Sequence, residues 1–158
     1  MMSIDDGLRR VREIAAQEDW LAILVTTGPS GEPTVSLVNV GVVRHPVTGE
    51  TTLALVSRGN TAKLRNLRFE PSATLVFRSG WDWIAARGST EIAGPDDPLP
   101  GLPAERLPGL LRDIYAAAGG KHSDLDEYDR EMVADRRAAV FVRPKRFSTN
   151  PAPHDRED

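Results

Sequence analysis

The 158-residue chain contains no cysteine. That excludes disulfides, iron–sulfur clusters and thiolate zinc sites, and it fits a cytoplasmic protein. Histidine is scarce. His45, His122 and His154 are the three, and no two stand at a metal-ligand spacing such as HxxxH, so no metal site is expected. Long apolar runs are missing as well. None approaches the roughly 18 residues that a membrane span needs. The first residues, MMSIDDGLRRVRE, are charged by the fifth position and lack the apolar core of a signal peptide. A soluble, intracellular protein is expected, with no membrane partner. Nor is there an excess of positive charge: the net charge of −3 argues against a nucleic-acid binder. There is no GxSxG, no nucleophile–base pair and no pair of carboxylates that stands out as acid and base.

What is there describes one domain. A hydrophobic content of 40% is enough for a real core. Residues 3–18 place Ile4, Leu8, Val11, Ile14 and Ala15 at helical spacing, with Ser3 as N-cap and Asp5 and Asp6 in the positive first turn. Short apolar segments at 20–27, 34–43, 52–57, 73–78, 83–93 and 139–143 read as strands separated by turn residues, with Gly88 marking a bulge in the fifth. Helices are expected at 61–69, 104–118 and 125–137. The last is strongly charged and reads as a solvated face. Six strands joined mostly by tight turns indicate an antiparallel sheet or barrel. Residues 1–149 form the domain, and 150–158 a polar tail that frays. In 34–43 both faces are apolar, with Val35, Leu37 and Val43 on one and Val38, Val40 and Val42 on the other. An antiparallel strand with one wet face alternates more cleanly. Something covers the outside, either a helix of this chain or a second copy.

The stretch VSRGNTAKLRNL, residues 56–67, is too polar and cationic for a plain connection. With Asn60 or Thr61 as N-cap, the first N–H groups of the following helix point outward, and the helix dipole adds positive charge there. The Ser57 and Thr61 hydroxyls and the cations Arg58 and Lys63 complete an anion site suited to phosphate. The residues alone leave this reading open beside a simpler one, a capped helix with solvated cations. Other candidates have the same two-sided status. Trp81, in the turn expected at 79–82, and Trp83, at the start of the strand expected at 83–93, stand two apart and make an apolar platform for a ligand or for packing. His122, in the loop AGGKHSD, is a proton donor or an exposed loop residue. Tyr115 and Tyr128 pack on helices.

Ser57, Thr61 and Lys63, followed by Asn66-Leu67 and Glu70-Pro71, resemble the phosphate segment of the pyridoxamine 5′-phosphate oxidase-like split-barrel proteins. Within that superfamily the chain resembles the deazaflavin (coenzyme F420)-dependent oxidoreductases. The segments TTGPSGEPTVSLV, LVSRGNTAKLRNLRFEPSATLVF, WDWIAARGSTEIAG and AGGKHSDLDEYDREMVADRRAAVFVRP carry the likeness, over roughly residues 8–146. It implies a six-stranded antiparallel split β-barrel of the FMN-binding type, mainly β with helices and homodimeric, with the cofactor at the subunit interface. Flavin-type members have Ser/Thr-Arg-Lys at the helix start and two cations in the second strand. Here Ala62, Ser36 and Gly41 stand in those places, which favours F420 over FMN. The likeness implies cofactor contacts from Ser36, from Val38, Asn39 and Val40, and from Leu55 to Ser57. Phosphate contacts follow from Ser57, Thr61 and Lys63, with Asn66 in the same motif. Arg58 or Arg65 would meet the anionic tail, and Trp81 and Trp83 border the ring. The activity implied is hydride transfer from reduced F420 to an electron-poor small molecule such as an enone, quinone or tetrapyrrole. The alternatives are an FMN-dependent oxidase or reductase of the same fold, or a barrel that only stores or senses a flavin, deazaflavin or haem.

Overall fold

The structure, a computed structural model, describes residues 1–151. The tail expected at 150–158 therefore lies mostly outside the described residues. Its first residue is not frayed: Asn150 donates to the Trp81 carbonyl at 3.0 Å and accepts from the Trp83 N–H at 3.2 Å.

Seven antiparallel strands make one sheet. In chain order they are β1 (Leu21–Thr27), β2 (Pro33–Asn39), β3 (Gly41–Arg44), β4 (Thr51–Ser57), β5 (Ser72–Ser79), β6 (Asp82–Ala93) and β7 (Ala138–Thr149). The spatial order is β2-β1-β5-β6-β7-β4-β3. Consecutive strands β2 and β3 thus sit at opposite edges, with Val40 alone between them. A flat sheet of seven strands cannot do this, because its edges lie about 29 Å apart at about 4.8 Å per strand. The sheet is rolled until its edges nearly meet, without closing by hydrogen bonds. The single strand expected at 34–43 is therefore two, and the sheet has seven strands, not six. The step is pinned: the Val40 N–H donates to the Trp20 carbonyl at 2.9 Å and the Asn39 amide to the Asp19 carbonyl at 2.9 Å.

The bulge expected at Gly88 is present as a register shift between Arg87 and Gly88. A Cβ at Gly88 would lie 1.8 Å from the Arg143 carbonyl oxygen, so only glycine admits this close approach of β7. The bulge lets β6 and β7 bend and carry twelve residues each. β7 consequently runs well past the expected 139–143.

Four helices cover the sheet: α1 (Ile4–Ala15), α2 (Ala62–Phe69), α3 (Leu107–Ala117) and α4 (Leu125–Ala134). α1 buries Leu8, Val11, Ile14 and Ala15 against β5, β6 and β7, and its Ser3 cap accepts from the Asp6 N–H at 3.1 Å. The barrel interior holds Leu24, Leu53, Leu55, Leu75, Phe77, Ile84, Val140 and Val142. Alternation along β4 and β7 sends Ala54, Ala139 and Phe141 outward, where Leu110, Leu111 and Ile114 of α3 bury them. The chain's own helix thus covers one half of the outer surface. A Cβ at Gly41 would meet Ala117 at 2.7 Å, which shows how closely α3 approaches β3. Among the described residues nothing covers the other half, on β1, β2, β5 and β6: Val35 is 62% and Leu37 67% exposed. α4 ends at Ala134, three residues before the expected boundary, and Arg136 there takes a left-handed conformation at φ 49°. Among the described residues no helix is long and apolar enough to cross a membrane.

Candidate functional site

The opening of α2 is capped as expected. Thr61 caps the helix, with its Oγ1 3.5 Å from the Leu64 nitrogen, and Asn60 before it turns the chain at φ 57°. Ser57, the last residue of β4, is buried and lies 3.2 Å from the Thr61 hydroxyl. Both hydroxyls are within bonding distance of the Arg58 carbonyl, at 3.0 and 3.3 Å. This web fixes the strand end against the helix start. The Ala62 and Lys63 N–H groups are left at the positive end of the helix.

Three cations converge there. Lys63 is half-buried and has no hydrogen bond or ion pair among the described residues. Burial pulls its pKa down, and the nearby Arg137 guanidinium adds to the shift. Arg58 and Arg137 share one carboxylate, that of Asp135, at 3.6 and 3.3 Å. The Asp135 carbonyl accepts from the Gly59 N–H at 3.0 Å, which ties the end of α4 to the loop before α2. Asp135 and Glu131, the second of which also lines the cavity, are two acids for three cations, and the balance left is positive, which an anion would complete.

These groups line a cavity of about 470 Å³. Val38 and Asn39 of β2 and Val56 of β4 form one wall, and Ile114, Tyr115, Ala118, Tyr128 and Met132 of α3 and α4 form the other, with His122 from the loop between them. The size suits a drug-sized or cofactor-sized ligand. Tyr115 and Tyr128 pack ring on ring with centroids 4.7 Å apart. Their hydroxyls donate to main-chain carbonyls, Tyr115 to Lys121 and Tyr128 to Leu111, each at 3.1 Å. Burial, followed by the neighbouring Tyr115, pushes the Tyr128 hydroxyl up to about 12.

Of the expected contacts, the cavity brings together Val38, Asn39, Ser57, Arg58, Thr61 and Lys63. It does not include the side chains of Ser36, Val40, Leu55, Asn66, Trp81 or Trp83. Val40 and Leu55 are core residues. The Asn66 amide donates to the hydroxyls of Thr26 at 3.1 Å and Thr34 at 3.0 Å, clamping α2 to β1 and β2. Arg65 turns back onto Asn60 and donates to its carbonyl at 3.1 Å. Trp81 sits in the two-residue β5–β6 turn, where a turn is expected, and it is 89% exposed. With Trp83, Ile23, Leu37 and Val76 it lines a second, wider concavity of about 820 Å³ on the uncovered outer face. Leu37 belongs to both concavities. Sequence reasoning missed Arg137, Glu131 and Met132, which lie in or just after a helix that reads as a plain charged face. No local signal ties them to Lys63.

This architecture recurs in solved structures. An F420 reductase has it with a TM-score of 0.58 and 17% identity, over 87% of this chain and 94% of that one. The chain has the split-barrel fold. A pyridoxamine 5′-phosphate oxidase-related, FMN-binding protein from Nostoc punctiforme matches with a TM-score of 0.60 and 14% identity, covering 92% of this chain and 80% of its own. A haem storage protein from Vibrio cholerae matches at 0.54 and 12%, over 93% and 94%. No protein-family model matches the chain. At these identities the likeness carries the fold, and the ligand has to be argued from the cavity.

Proposed function

We propose that the cavity binds the deazaflavin F420 and that the protein uses reduced F420 to transfer hydride to an electron-poor small molecule of the enone, quinone or tetrapyrrole type. The observation that carries this is the half-buried, unpaired Lys63 beside Arg137 at the start of α2. A desolvated lysine held next to another cation is electrostatically incomplete without an anion. The donor set of N–H groups, hydroxyl and ammonium fits a cofactor phosphate. Lys63, Arg137 and the α2 N-terminus would hold that phosphate. The β2 segment Val38–Asn39 and the apolar side of α3 and α4 would flank the ring. The cofactor when bound supplies the redox chemistry, and the protein positions it, excludes water and neutralises its charge.

A second copy is part of this reading. Leu37 lines both the cavity and the uncovered apolar face, so a partner seated on that face would also close the cavity mouth. Exposed apolar patches of this kind mark interaction surfaces. A homodimer with the cofactor at the interface follows.

FMN is the second reading, and a specific observation favours it. Ala62, Ser36 and Gly41 lack the cations of flavin-type sites, but Arg58 and Arg137 bring two guanidinium groups to the cavity from elsewhere. The missing arginine at Ala62 therefore does not separate the two cofactors by charge. Parallel titration with F420 and FMN, read by tryptophan fluorescence, does. Tighter F420 binding, followed by F420H2 oxidation with an enone or quinone, is the expected result. FMN binding without F420 binding would sink the deazaflavin reading. Binding of either cofactor with no turnover on any acceptor would point to storage or sensing.

A further inference from the structure

The cavity contains a hydrogen-bond donor that the phosphate site does not use. We propose that His122 donates from its Nε2–H to the oxygen of a conjugated carbonyl substrate. The tautomer is set by the loop. His122 Nδ1 accepts from the Asp124 N–H at 3.1 Å, so in the neutral ring the proton sits on Nε2. Nε2 has no partner among the described residues. The ring is held edge-on to Tyr128, with centroids 6.0 Å apart. It is half-buried in the cavity wall.

Of the other polar groups there, Asn39 gives its amide to the Asp19 carbonyl, and the Ser57 and Thr61 hydroxyls lie on the Arg58 carbonyl. Both tyrosine hydroxyls donate to main-chain carbonyls. Arg58 and Arg137 face Asp135. Lys63 belongs to the anion end, and Glu131 as a carboxylate only accepts. Among the described residues, His122 is thus the donor on the α3–α4 side of the cavity whose ring N–H has no partner. Hydride addition at the far carbon of an enone shifts charge onto the carbonyl oxygen, and a solvent proton then completes the saturated product. A donor held beside that oxygen stabilises the charge as it develops. His122 Nδ1 also ties down the start of α4, but that structural role leaves Nε2 without a task.

The part played in turnover rests on the F420 reading; the hydrogen bond itself does not. The test therefore begins without cofactor. The neutral dye 4-(dimethylamino)cinnamaldehyde, a conjugated carbonyl whose absorbance moves to the red when its oxygen accepts a hydrogen bond, is titrated into the full-length protein. The wild type is expected to bind it with a red shift. His122→Phe keeps the aromatic edge on Tyr128 and should lose the red shift and about tenfold in affinity. His122→Gln should restore part of both. In wild-type protein the 15N signal of His122 Nε2 should move on dye binding while that of Nδ1 stays put. This covers the case in which the variants fail to fold. Equal shifts in wild type and His122→Phe, a still Nε2 signal, or no dye binding at all would each overturn the proposal. F420H2 turnover with cyclohexenone is measured separately. If F420 does not bind, the functional reading falls while the dye still decides His122.

Discussion

At the scale of single residues, Lys63 and Asn66 separate what faces the cavity from what holds the fold. They are neighbours in one motif and stand on one short helix, yet Lys63 enters the cavity and Asn66 is spent on Thr26 and Thr34. Lys63→Ala should weaken cofactor affinity by about 1–3 kcal/mol, the size of a lost charge-assisted bond. Arg137→Ala should do the same, and isothermal titration measures both. Asn66→Ala should leave affinity nearly unchanged but lower stability by about 1–3 kcal/mol, because it strips a partner from the buried Thr26 hydroxyl. A melting curve beside a titration distinguishes the two residues. The lysine also predicts a pH dependence. Its pKa lies below the ordinary 10.5, chiefly through burial and then through Arg137. A bound phosphate favours the charged form. Affinity is therefore full below the lowered pKa and falls as the pH rises through it, earlier than for a free lysine. Lys63→Arg should flatten that alkaline loss, since arginine keeps its proton throughout. An unchanged profile would place the phosphate elsewhere.

At the scale of elements, α4 stands out because it walls the cavity while burying only Tyr128 of its own ten residues. Two arginine bonds from α3 hold it, Arg112 Nε to Asp129 Oδ1 at 2.9 Å and Nη2 to Oδ2 at 2.5 Å. The hydrogen bond from Arg112 holds the Asp129 carboxyl below its usual range. A carboxylate whose folded pKa is depressed stabilises above its unfolded value and stops doing so as the pH falls through the folded one. Protection of the amides in 125–134 against hydrogen exchange, measured against the intrinsic rate at each pH, should therefore drop in acid, below the ordinary carboxylate range near pH 4, while the sheet stays protected. Arg112→Met should show fast exchange already at neutral pH and no further acid step. The elements also show what a sequence can and cannot reveal. Thr61 as the cap of α2 and Gly88 as a bulge were legible because capping and close backbone approach act over a few residues. The break at Val40 was not. Asn39 and Gly41 flank it and weaken the strand locally, but the apolar run of valines on both sides hides that the chain changes edges there. β7 looked short because Arg143, Lys145 and Arg146 interrupt its apolar run, although its pairing with β6 across the bulge continues to Thr149. Arg137 escaped notice because its relation to Lys63 exists only after the sheet has rolled.

At the scale of the whole molecule, the split of the outer surface into a half covered by α3 and a bare half on β1, β2, β5 and β6 predicts self-association. Light scattering should give twice the mass of one chain, and Leu37→Glu should give monomers at micromolar concentration. Because Leu37 also lines the cavity, the monomeric variant should lose cofactor affinity together with its partner. A fully monomeric wild type would leave the bare face to some other ligand. The rolled sheet has one more effect. Unpaired N–H and C=O groups along an outer strand are a template on which further chains can add. Here the two outermost strands are β2, which begins at Pro33, and β3, only four residues long. The step through Val40 brings one end of each toward the other, so little straight, open backbone remains for a stranger to pair with. The bend that shapes the ligand cavity thus also protects the protein against edge-to-edge polymerisation. Lengthening the link with a flexible insert at Val40 should be felt first as aggregation on storage.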